Sequence, residues 1–139
     1  MTVKDPFWKE LKEETAADFS LLDWEDLPNP PSECYFVTGD SLGGGEHGHA
    51  LLVDFFKSMA EARSFPQSVV LMDRAVLFLR KTDELYSVFT EMDQNGTLVA
   101  ASAKSISLYG AENEIDPLFA VETGQIREIL SRADKVITL

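Results

Sequence analysis

Three stretches of this chain, CYFVT at 34–38, SVVLM at 68–72 and TLVAA at 97–101, are predominantly apolar and lack a polar residue at every second position. A strand that faces water on one side alternates, because successive side chains point to opposite faces. Strands without that alternation are buried on both faces, as in a parallel sheet covered by helices. The intervening segments have helical spacing. Leu51, Leu52, Phe55, Phe56 and Met59 fit one apolar helix face, and Leu85, Val88, Phe89 and Met92 a second. Asp83 is placed to cap that second helix, and the Asn95–Gly96 pair ends it. Thr123 is placed to cap a last helix carrying Ile126, Ile129 and Leu130, and 135–139 closes as a strand. The pattern predicts an α/β fold, a three-layer α/β/α sandwich with a mostly parallel sheet of about five strands.

With 139 residues, 45% of them hydrophobic and 26% charged, the chain has the composition of one globular domain preceded by an arm. In that arm Trp8, Leu11, Thr15, Phe19 and Leu22 recur three or four apart, which predicts an amphipathic helix over 7–22. The prolines of LPNPPSE at 27–33 break it. The organisation read here is therefore an acidic arm and linker at 1–33 and an α/β domain at 34–139. The arm is expected to fold back on the domain or to pack on a sister subunit or partner. No apolar run approaches the roughly 18 residues that span a bilayer, and the charged start does not resemble a signal peptide, so a cytoplasmic location is expected. A net charge of −12 disfavours nucleic acid and anionic membranes as partners.

In parallel sheets, ligands bind beyond the carboxyl ends of the strands. That rule selects the loop at 39–49, the turn at 73–77 and the stretch at 101–109. The loop contains GGGEHG, with Gly43, Gly45 and Gly48 in a G-x-G-x-x-G spacing, and Asp73 ends the second strand as a ribose-binding acid would. Four residues separate the first strand from Gly43, and Glu46 would repel phosphate, so a turn of permissive glycines is the better reading. His47 and His49 diverge by roughly 200° at 3.6 residues per turn, so only one of them faces a given site. Two histidines and one cysteine supply no zinc site, and neither metal nor cofactor is expected. Cys34 opens a strand and reads as a small buried hydrophobe. Ser102 and Ser105 lie where a nucleophile would sit, with Lys104 between them, yet a G-x-S-x-G elbow is absent. Capping of the helix that reaches Tyr109 is the stronger reading of these serines.

The ordered set of an apolar strand, the glycine loop, ALLVDFFKSMAE, Pro66, VVLMDRAVLFL, LYSVFTEMDQNGTLVAASAKSISLYG and ADKVITL resembles the DsrE/DsrF-like family over residues 34–139. It is closest to the C-terminal domain of YedF-type selenium-metabolism proteins. Gly43, Gly45 and Gly48 match the family's loop, and Asp73, Ala75, Val76 and Leu77 stand where it has an asparagine, a glycine–valine pair and a leucine. The resemblance implies a small α/β/α domain that forms dimers, trimers or hexamers. It also implies a C-G-x-C-L-x-x-Y-G pattern after the third strand, whose cysteines carry sulfur. Here those cysteines fall on Ser102 and Ser105, while Ile106, Tyr109 and Gly110 keep the frame. A serine hydroxyl is too weakly acidic to accept sulfane sulfur at neutral pH.

The expectation is a binding or assembly module without catalytic residues, linked to sulfur or selenium metabolism. Its pocket residues would be Asp40, Gly43, Gly45, His47, Asp73, Ser102, Ser105 and Tyr109, taking a small molecule or anion. The alternatives are a sulfurtransferase component acting through a partner's cysteine in a sulfur relay, or a nucleotide-binding protein using the glycine loop.

Overall fold

A computed structural model of the protein describes residues 32–139. The predicted helix at 7–22 and most of the proline-rich linker lie outside the described residues. Five strands form one all-parallel sheet: β1 (Glu33–Val37), β2 (Ser68–Leu71), β3 (Leu98–Ser102), β4 (Ala120–Val121) and β5 (Lys135–Thr138), in the order β4-β3-β2-β1-β5. The register sets Cys34 beside Ser68 and Val136, Val37 beside Leu71, and Leu71 beside Ala101. Every pair is parallel, so the sheet is more uniform than the mostly parallel one expected. The additional strand is β4, whose two residues are too short for a periodicity to reveal.

The helices are α1 (Gly48–Glu61), α2 (Tyr86–Gln94), α3 (Ala103–Leu108) and α4 (Thr123–Arg132), with 3-10 turns at Asp73–Leu79 and Pro117–Phe119. One face of the sheet packs Val37, Val69, Leu71, Val99 and Ala101 against Leu52, Phe56, Met59, Val88, Phe89 and Met92 of α1 and α2. The 3-10 segment adds Ala75, Val76, Phe78 and Leu79 to the same core. The other face is thinner: Cys34, Val70 and Ala100 meet Ile126 of α4, with Phe36, Val121, Ile129 and Leu130 partly buried around them. β1, β2 and β3 each contribute to both clusters, which is why their sequences do not alternate. Residues 33–139 form a three-layer α/β/α sandwich.

Two expected caps are displaced. Asp83 sits one turn before α2: its carboxylate accepts the Leu85 N–H at 3.0 Å and its carbonyl accepts the Tyr86 N–H at 3.1 Å. The helix proper starts at Tyr86, so Asp83 orders the turn that leads into it. At α4 the flanking residue is Glu122, not Thr123. Its side chain accepts the backbone N–H of Gln125, and the Gln125 side chain accepts the Glu122 N–H at 2.8 Å, a reciprocal capping box. Thr123 is the first helical residue.

The segment after β2, expected as a short turn at 73–77, is a seven-residue 3-10 stretch. Runs this long are uncommon because the hydrogen-bond geometry is poorer than in an α-helix. Four buried apolar side chains hold this one against the sheet.

Candidate functional site

β2 ends at Leu71, and Asp73 then adopts a left-handed backbone with φ 56°. That turn aims its N–H at α3, where the Ser105 hydroxyl oxygen accepts it at 2.8 Å. The Ser105 N–H in turn donates to the Ser102 hydroxyl oxygen at 3.1 Å, so Ser102 is the N-cap of α3. Both serines are buried, at 1% exposure for Ser102 and 6% for Ser105. Above them, the Tyr109 hydroxyl donates to the Asp73 carboxylate at 3.0 Å. That hydrogen bond is the main cause that pushes the Tyr109 phenol above its ordinary value. Desolvation and the Asp73 charge add to it, and Arg74 pulls the other way.

Arg74 extends the cluster to the loop after β1. Its Nε donates to the Asp40 carboxylate at 3.0 Å, and it also interacts with Tyr109. The hydrogen bond to Asp40, and then the attraction between the two charges, raise the Arg74 guanidinium further. His49 Nδ1 lies 2.7 Å from the Asp40 carbonyl oxygen. A carbonyl only accepts, so that contact fixes a proton on Nδ1 and leaves Nε2 as the lone-pair atom of the neutral ring. The His49 ring stacks on Phe78 of the 3-10 segment, with centroids 5.9 Å apart.

Five of the eight residues selected from sequence therefore meet in one hydrogen-bonded cluster: Asp40, Asp73, Ser102, Ser105 and Tyr109. The hydrogen bonds of that cluster do not reach Gly43, Gly45 or His47. His47 is exposed and pairs with Glu46 at 3.1 Å, so it is His49 that approaches Asp40. The glycine loop closes on itself: Leu42 N–H donates to the Gly48 carbonyl at 2.9 Å, and Gly48 N–H to the Gly45 carbonyl at 3.3 Å. Gly48 N–H, at the first position of α1, is thereby occupied.

Sequence reasoning missed Arg74. The available signal was its place, three residues beyond the carboxyl end of a central strand and next to an acid.

The chemistry open to this cluster is recognition. Among the described residues, no histidine, lysine or carboxylate is hydrogen-bonded to either serine hydroxyl, so neither is paired with a general base. Cys34 lies at the amino end of β1, fully buried, and burial pushes its thiol up while a hydrogen bond with Ser68 pulls it down. Among the described residues no three histidine, cysteine or acidic side chains converge on a metal site, and no helix is long and apolar enough to cross a membrane. No protein-family model matches this chain, and no curated protein matches it either.

Proposed function

We propose that this chain is a DsrE-like domain without the sulfur-carrying thiols, acting as a non-catalytic binding or assembly module linked to sulfur or selenium metabolism. One observation carries the reading. At the two positions where the resemblance places cysteines, the hydroxyls of Ser102 and Ser105 each accept a backbone N–H, and both are buried. They serve to join the β3–α3 junction to the turn after β2. The Asp40–Arg74–Tyr109–Asp73 group above them offers a small molecule or anion both charges and a phenol, without a nucleophile. The three-layer architecture agrees with what the resemblance implies for residues 34–139. In this reading the module works as a homo-oligomer, a dimer, trimer or hexamer, and meets a sulfur-relay protein as a partner.

The test is exposure of the native protein to a sulfane-sulfur donor, followed by intact mass with and without an alkylating tag. The expected mass is unchanged, because the only thiol is buried and held in its protonated form. A tagged persulfide on native Cys34 overturns the non-catalytic reading. Native mass spectrometry of the full chain reads the assembly, and a monomer at micromolar concentration removes that part of it.

A further inference from the structure

Among the described residues, two other than glycine adopt a left-handed backbone, Asp73 and Arg63. Asp73 belongs to the cluster at the carboxyl ends of the strands. Arg63, with φ 53°, lies at the opposite end, in the connection from α1 to the start of β2. Its N–H donates to the Ala60 carbonyl and the Ser64 N–H to the Met59 carbonyl, both at 3.0 Å. This pattern ends a helix on a left-handed residue, a position that glycine usually fills. α2 ends in the same way and does use glycine. The N–H of Gly96, at φ 96°, donates to the Asp93 carbonyl at 3.2 Å, and the Thr97 N–H to the Met92 carbonyl at 3.0 Å.

The two helix ends are bridged through Arg63. Its Nη1 donates to the Glu91 carboxylate at 3.0 Å and its Nη2 to the Asn95 side-chain oxygen at 3.1 Å. The Asn95 Nδ2 donates in turn to the Glu91 carbonyl at 2.8 Å. A guanidinium only donates and a carbonyl only accepts, so these bonds fix which end of the amide is oxygen. Backbone strain persists where neighbouring contacts over-determine it, and this bridge is what Arg63 supplies that a glycine would not.

Asn95 is exposed, and the residue after it has no side chain to shield its nitrogen. A Cβ placed on Gly96 would meet nothing within 4 Å. We propose that Asn95 is a site of self-modification, to aspartate and isoaspartate, that the Arg63 bridge holds back. The Gly96 N–H gives its proton to solvent and the nitrogen attacks Asn95 Cγ. A C–N bond forms, the Cγ–Nδ2 bond breaks, and ammonia leaves with a proton from water. Water then opens the cyclic imide. Cleavage between the Gly96 nitrogen and the former side-chain carbonyl gives aspartate, and cleavage at the main-chain carbonyl gives isoaspartate. In the second product the main chain runs through the former side chain and is longer by a methylene, which takes the Gly96 and Thr97 N–H groups out of register with the end of α2.

The native geometry opposes the first step. Ring closure needs the Gly96 nitrogen on the same side of the Asn95 Cα–C bond as Cβ, and at ψ 15° it is turned away. The reaction therefore requires a local opening of the helix end, and that opening must release Asn95 from Arg63. The proposal is independent of the carboxyl-end cluster and of the function proposed for it.

The test is peptide mapping by mass spectrometry, which follows Asn95 over time at neutral pH in the full-length protein, native and unfolded in guanidinium chloride. The native chain is expected to convert at least about tenfold more slowly than the unfolded one. Arg63→Gly and Arg63→Met, each verified as folded by its melting temperature, are expected to raise the native rate about threefold, the worth of a hydrogen bond from an exposed charged group. Arg63→Gly relieves the left-handed strain and Arg63→Met retains it, so an acceleration common to both belongs to the lost guanidinium. Equal rates in native and unfolded protein, or no conversion in the unfolded chain, overturn the proposal. So does acceleration in Arg63→Gly alone, which would assign the effect to a loosened backbone. An unchanged or slower rate in both variants also overturns it, because the guanidinium then does not hold the amide back.

Discussion

Asp73 shows how much one backbone angle organises. A φ of 56° is uncommon outside glycine, and aspartate and asparagine are among the residues that tolerate it. In that conformation its N–H goes to Ser105 and its carboxylate to Tyr109, so one residue ties the end of β2 to both ends of α3. Asp73→Asn retains the backbone preference and an acceptor oxygen while removing the charge. Its expected effect is a lower midpoint for Tyr109 ionisation, measured by ultraviolet difference titration with Tyr109→Phe as the reference. The sign follows from the raised phenol: its contribution to stability is fully present below the ordinary phenol range and is lost as pH rises through the raised value. An unchanged midpoint in Asp73→Asn would remove the carboxylate as the cause. Asp73, Ser102 and Ser105 were legible from sequence because strand ends and capping positions have residue preferences. Arg74 was not legible, because its role depends on Asp40, 34 positions earlier, and no local pattern encodes that distance.

Among the elements, the β1–α1 loop separates two reasons for a glycine that a motif runs together. Gly43 needs its left-handed φ of 76°. Gly48 needs its missing Cβ, because an added methyl would meet the Ser41 hydroxyl and, at 2.7 Å, the Leu42 carbonyl oxygen. Gly45 meets neither condition and has open space around it. Gly48→Ala is therefore expected to destabilise the protein by about 1–3 kcal/mol, the usual cost of forcing atoms into a packed site. Gly45→Ala is expected to stay within about 0.5 kcal/mol, as surface changes do. Equal denaturation midpoints for the two variants would show that the loop relaxes freely around residue 48. The spacing of the three glycines was visible in sequence, but not which of them carries a constraint. Helix faces were read more faithfully, since Leu52, Phe56 and Met59 on α1 and Val88, Phe89 and Met92 on α2 bury themselves where the 3.6-residue period puts them, although Leu51, read on the same face, is exposed. The caps slipped by one or two residues because several neighbouring polar side chains can satisfy the same terminal N–H groups.

On the scale of the whole sheet, its two faces are unequally packed, and stability should be distributed accordingly. α1, the 3-10 segment and α2 bury three phenylalanines on one face: Phe56, Phe78 and Phe89. On the other, α4 contributes one fully buried side chain, Ile126, to a cluster whose remaining members come from β1, β2 and β3. Truncating a buried phenylalanine to alanine costs about 3–5 kcal/mol, so Phe56→Ala removes much of what holds a domain of this size together. Ile126→Ala costs about 2–5 kcal/mol by the same rule, but its loss falls on a layer with few other anchors. Among the described residues β5, the strand that α4 leads into, pairs with β1 alone, and its Val136 is exposed. Local opening follows the density of buried apolar contacts, so α4 and β5 form the unit that should release first. Native-state hydrogen exchange is the measurement. Amides of α4 and β5 are expected to exchange through a low-energy local opening, while those of β2 and β3 exchange only on global unfolding. Ile126→Ala should accelerate the first group far more than the second. Phe56→Ala should lower protection in β2 and β3 by its full effect on global stability. If α4 is protected to the same degree as β2 and Ile126→Ala shifts both equally, the two faces unfold as one cooperative unit and the unequal packing has no consequence for the order of opening.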